Sequence, residues 1–223
     1  MHKKISAVIT IIIFVFLISI MWFFINKKNV NEFLIKNLNI ANEFKIQKKF
    51  KIESGKEREI ILPQFWGELS SSSRDSYEDV TARIYESWDV QSVVLNADNT
   101  ISVYVTKKQW EKKIKKIQRA INSELKKCKD GGVIVSISKD MKKITYILTK
   151  DCNMSMQSWM MSETVFMGNL FEAQAFTGVE PNECKLHEIV QNEKSGEIIV
   201  DDVSPGAKYS FTERQWNGTE GRE

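Results

Sequence analysis

Cys184 and His187 stand at a C-x-x-H spacing, the closest pairing of a cysteine with a histidine in the chain. Together with Cys128 and Cys152 they would supply the three cysteines and one histidine of a structural zinc set. Such sites bring their ligands as two close clusters, and here there is one. Isolated residues are the simpler reading, and no metal is expected. With three cysteines, one thiol stays unpaired in a monomer, and spacing alone does not say whether Cys128 and Cys152 join.

Acid–base and nucleophilic chemistry have little to draw on. His2 and His187 are the only histidines. No P-loop, nucleophile elbow, zincin helix or dinucleotide fingerprint is present. Asp201 and Asp202 are adjacent, so in a strand they point to opposite faces. The chain is therefore expected to be non-enzymatic and to hold no cofactor. The alternative is an envelope enzyme whose carboxylates or thiols meet only in space, a pairing that linear motifs do not show. Asn217-Gly218-Thr219 matches a glycosylation acceptor, which matters only where that machinery exists.

Binding chemistry is better represented. Residues 107–129 carry ten basic side chains against Glu111 and Glu124, a local net of +8. Lys112, Lys113, Lys115, Lys116 and Arg119 form its densest run and are candidates for contact with an anion or a partner. Aromatic residues are not interleaved with them, so base stacking has no platform and nucleic acid is not expected. Residues 151–223 hold thirteen acidic residues against five basic ones, a net of −8. Opposite patches of that size suit a contact between copies or with a protein partner. A second candidate surface is apolar: Met154, Met156, Trp159, Met160 and Met161 cover more than one side of a helix. Flexible thioethers adapt to partners. They could also ligate copper(I), although helical methionines are far more often packing. Cover by residues 44–90 or by a partner is expected for the side that cannot face a sheet.

These surfaces need a scaffold, and the scaffold begins in lipid. Ile5 to Ile25 contains no charge, Pro or Gly and is roughly 30 Å long as a helix, the thickness of a bilayer core. Trp22 sits where an interfacial aromatic belongs, and Lys3, Lys4, Lys27 and Lys28 close the ends. The run is longer than the apolar core of a signal peptide and lacks a small-x-small cleavage site. It reads as an uncleaved, single-pass signal-anchor. The formal net charge is +3, and those four lysines account for more than all of it. The remainder is nearly neutral, which excludes a global basic field. Positive charge is almost balanced across the span. The short N-terminal tail favours a soluble domain outside the cell, and a cytoplasmic-facing module binding anions or nucleic acid is the rival. Heavy use of Ile, Asn and Lys suits a low-GC bacterium.

Behind the anchor, residues 29–43 repeat apolar positions at helical spacing, 49–62 alternate about a Gly55 turn, and 75–88 read as a helix. Ser92–Asn96 and Ile101–Val105 read as a hairpin. Thr106 and Gln109 form a capping box for a helix whose stripe is Trp110, Ile114, Ile117, Ile121 and Leu125. Val133–Ser138 and Lys143–Thr149 read as strands, Ser155 caps a helix to about Phe176, and Leu186–Val190 and Glu197–Val200 read as strands. The expectation is an α+β chain: tail 1–4, transmembrane helix 5–25, connecting elements 26–90, globular domain 91–201 and polar, loose tail 202–223. From Ile101 the order β-α-β-β-α-β is that of a ferredoxin-like sandwich, with extra edge strands. The fold licenses no activity. Function is expected to be that of a membrane-anchored interaction or assembly subunit in a bacterial envelope.

Overall fold

A computed structural model of the chain describes residues 43–47, 52–66 and 76–219. The anchor at Ile5–Ile25 and the juxtamembrane segment 29–43, its last residue excepted, lie outside them, as does the arm 48–51. No helix among the described residues is long and apolar enough to cross a membrane.

Local signals decide most elements. Ser76 and Asp79 make a capping box that opens helix α1, Tyr77–Ser87, which buries Val80 and Ile84. Strands β2, Ser92–Leu95, and β3, Ile101–Thr106, pair antiparallel around Asn99, whose φ is 63°. Thr106 ends β3 and caps helix α2, Lys107–Asp130, through the expected box with Gln109. The stripe Trp110, Ile114, Ile117 and Ile121 is buried, with Cys128 continuing it. Gly132 follows α2 with φ 76°, and a side chain there would meet the Cys152 backbone at 2.8 Å. Strands β4, Val133–Ile137, and β5, Lys143–Leu148, form a second hairpin. Ser155 caps helix α3, Met156–Phe176. A short 3₁₀ turn at Pro181–Glu183 leads to strands β6, Leu186–Asn192, and β7, Glu197–Ser204.

The chain is a mixed α+β fold, but its strands make two sheets. One has three strands in the order β1-β3-β2, with β1 spanning Glu57–Leu62. The other has four in the order β4-β5-β6-β7. This corrects the ferredoxin-like expectation. That sandwich needs β3 in the same sheet as β4 to β7. Here β1 and β2 occupy both edges of β3, leaving it no free hydrogen-bonding edge. The first arm of the hairpin read around Gly55, residues 49–51, lies outside the described residues; its second arm, β1, pairs with β3. Strands β5 and β6 are instead direct parallel neighbours, and α3 is the crossover that such neighbours require.

Both sheets feed one core, with Val103 and Val105 from the first and Ile144, Tyr146 and Val190 from the second. Helices α2 and α3 run antiparallel over it. Lys113 meets Glu172 near one end, and Cys128 meets Ser162 towards the other. Residues 44–46 lie along the other flank of α2. The Phe44 N–H donates to Asn122 Oδ1 (2.8 Å), and Asn122 Nδ2 donates back to the Phe44 carbonyl (3.2 Å).

The stretch read as a loose tail is a closing segment. Phe211 and Trp216 place their rings 5.7 and 5.2 Å from that of Trp159. The Trp216 indole N–H donates to the Met154 carbonyl (3.0 Å). Helix α4, Glu213–Asn217, carries Trp216 and is capped by Thr212. Polar composition masked three aromatic residues at the spacing needed to cover α3.

Candidate interaction face and cleft

Geometry separates the candidate lysines into two groups. Lys112, Lys115, Lys116 and Arg119 stand exposed on the outer side of α2, opposite the buried stripe. Lys113 does not. It turns towards α3, and only 12% of its side chain is exposed. Its Nζ lies 2.7 Å from Glu172 Oε2 and 3.1 Å from the centre of the Trp88 ring. Burial pulls the Lys113 ammonium down from its usual range and pushes the Glu172 carboxyl up, each shift partly offset by the other charge. Lys113 is thus a paired wall residue, which corrects its assignment to a partner-facing surface.

Around that pair lies a cleft of about 240 Å³ between the end of α1, strand β3 and helices α2 and α3. Trp88, Val90, Val105 and Phe176 give it an apolar floor. Lys112, Lys116 and Gln109 stand on one wall, with Asp89 facing them. Asp89 is held by two donors: Lys112 Nζ reaches Oδ2 at 2.8 Å and Gln109 Nε2 reaches Oδ1 at 3.2 Å. Hydrogen bonds from Lys112 and Gln109 hold the Asp89 carboxyl below its usual range. The Gln109 amide is fixed by its other end, since Oε1 accepts from the Thr106 N–H (2.9 Å) in the capping box. A local helix-capping rule therefore aims a side chain into the cleft.

The methionine surface divides as well. Met154 and Trp159 are buried and Met156 is half-buried, all near the closing segment. Met160 and Met161 are exposed, at 48% and 65%, with Val165 beside them on α3. Assigning Met154 and Trp159 to a partner surface is corrected, because residues 209–216 already cover that side. Residues 44–90 cover a different part: Phe65 packs edge-on against Phe171 at 4.5 Å.

One constellation escaped the linear reading. Glu188 is 1% exposed and Glu163 5% exposed, and they face each other between β6 and α3. The Tyr209 hydroxyl donates to Glu188 Oε1 and stands 3.3 Å from Glu163 Oε1. Ser204 Oγ donates to the same Glu188 oxygen at 3.2 Å. Burial, followed by the charge of Glu188, pushes the Glu163 carboxyl up to about 8. Burial also raises Glu188, against hydrogen bonds from Tyr209 and Ser204 that favour its charged form. A signal was present: Glu188 shares the inward phase of β6 with Leu186 and Val190, and Glu163 falls on the core side of α3 between Trp159 and Phe166. These acids, and the paired Glu172, also mean that part of the acidity of 151–223 is internal and makes no outward field.

The metal set does not assemble. Cys128 and Cys184 are buried, Cys152 is half-buried, and all three thiols are free. His187 Nε2 lies 2.5 Å from Asp201 Oδ1 across β6 and β7. Among the described residues no group of three or more His, Cys, Asp and Glu side chains is placed to hold a metal. Compared with known proteins, the chain matches no protein-family model, no curated protein and no solved structure.

Proposed function

We propose that this chain is a single-pass, membrane-anchored interaction or assembly subunit of a bacterial envelope. It is non-enzymatic, and its folded part lies outside the cytoplasm. The observation that carries this reading is the outer arc of α2. There Lys112, Lys115, Lys116 and Arg119 stand exposed, and the neighbouring α3 exposes Met160, Met161 and Val165. A basic arc, with exposed flexible apolar side chains further along the neighbouring helix, suits an acidic protein surface that also carries apolar groups, on a partner or a second copy. The carboxyl pair that could do acid–base work is enclosed by Tyr209 and Ser204, which supports binding over hydrolysis. Trp110 faces inward, its indole N–H bonded to the Phe176 carbonyl (2.7 Å), so the arc offers no ring to stack on a base.

The test is charge reversal at Lys115 and Arg119, both clear of the core and of the cleft. The doubly substituted Lys115→Glu, Arg119→Glu chain should fold normally and lose cross-linked or co-sedimenting material at low salt. The difference should fade as added salt shortens the screening length from about 10 Å at 0.1 M towards about 3 Å at 1 M. Unchanged association at low salt would remove the arc from the interface.

A further inference from the structure

We infer that the cleft beside Trp88 is a binding site for a small organic acid: one carboxylate on an apolar body about the size of a single ring. The clamp for the carboxylate is already built, and Asp89 occupies it. Lys112 Nζ and Gln109 Nε2 each take one oxygen of that side chain, at 2.8 and 3.2 Å. Two donors on the two oxygens of one carboxylate define an acceptor-shaped position rather than a diffuse basic patch. Gln109 is fixed in place by the cap of α2, so the clamp costs little ordering when it is used.

Asp89 is a weak tenant. Its side chain is 52% exposed and that of Lys112 70% exposed, and exposed ion pairs contribute little. A ligand that brings its own carboxylate and also fills the apolar floor therefore gains something Asp89 cannot supply. The volume is sufficient: the cleft measures about 240 Å³, and an apolar cavity of about 150 Å³ takes a benzene ring. Its walls at Trp88, Val90 and Phe176 are apolar.

The charges favour a ligand of one negative unit. Lys113 is balanced by Glu172 inside the wall and Lys112 by Asp89 at the mouth. Lys116, one helical turn beyond Lys112, lines the same cleft and makes no ion pair among the described residues. With Lys116 the cations about the cleft exceed its acids by one, which matches a ligand of one carboxylate. The site shares Lys112 and Lys116 with the outer arc of α2 but not Lys115 and Arg119, so the two readings are tested by different residues.

The experiment is calorimetric titration of the full chain in detergent with phenylacetate, with acetate and benzyl alcohol as controls. Phenylacetate should bind saturably, and at least about tenfold tighter than either control, because each lacks half of the match. Lys116→Ala should weaken phenylacetate about tenfold, as expected for loss of a charge-assisted contact. Asp89→Ala should tighten it by about threefold or more, by removing the internal competitor. Lys115→Ala should leave it unchanged. These side chains are exposed, so the variants should fold. Equal affinity for acetate and phenylacetate, or weaker binding in Asp89→Ala, would overturn the assignment.

Discussion

Deprotonating the Glu163–Glu188 pair should loosen the fold, and the effect should be large enough to measure. The groups that act on the pair are Tyr146 from β5, Asp202 from β7 and Tyr209 from the closing segment. None is a cation, so among these groups only hydrogen bonds, and no opposite charge, offset a second negative charge. Glu163 ionises at 4.5 when unperturbed and at about 8 in the folded chain. The folded state holds this proton more tightly than the unfolded state, so its stabilising effect is complete below about 4.5 and is lost as pH rises through about 8. A difference of that size corresponds to a ceiling of about 5 kcal/mol. That is comparable to the whole stability of a marginal domain. The assay is denaturant unfolding of the full chain in detergent at several values between pH ~5 and ~9. Glu163→Gln keeps the shape and the donor while removing one of the two titrating groups, so its profile should be shallower than the parent's, and it should exceed the parent at the alkaline end. Glu188→Leu should be destabilising even in acid, because it removes the oxygen that accepts from both Tyr209 and Ser204. A parent profile that is flat over this range, or a Glu163→Gln profile as steep as the parent, would refute the shared proton.

The thiols should differ in reactivity. Burial pushes Cys128 and Cys184 up to about 11, so in the native chain at neutral pH a maleimide should label the half-buried Cys152 first and the other two only on unfolding. Gly132→Ala should destabilise by about 1–3 kcal/mol, read as a lowered unfolding midpoint, because its φ of 76° and the Cys152 backbone at 2.8 Å leave no relaxed place for a Cβ.

Elements whose causes are local were legible in the residues. The capping box of Thr106 and Gln109, the stripe on α2 and the turn at Asn99 each depend on side chains within a few positions of one another. The partition into two sheets depends on which strand reaches an edge first. Strand β1 takes an edge of β3 across a long stretch of intervening chain, and no periodicity encodes that choice. The site followed the same division. Helical phase placed Lys112, Lys115, Lys116 and Arg119 outside. Lys113 differs because its neighbour on the helix surface is α3, where Glu172 awaits it. The clamp on Asp89 and the pair Glu163–Glu188 join residues from separate elements, so their chemistry became visible only after those elements had been placed.

The closing segment also bears on the order in which the chain is made. Trp159 lies on α3, and the rings that cover it, Phe211 and Trp216, emerge from the ribosome last among the described residues. At about 5–20 residues per second, the interval between α3 and its cover is several seconds. During that interval a helix that is apolar on most sides has no complete lid. A chain held at a membrane while its domain is still incomplete is thereby kept apart from other unfinished copies. If the proposed anchor holds the chain at a membrane from the start of synthesis, anchoring and late closure are complementary: the first would limit aggregation until the second makes it unnecessary.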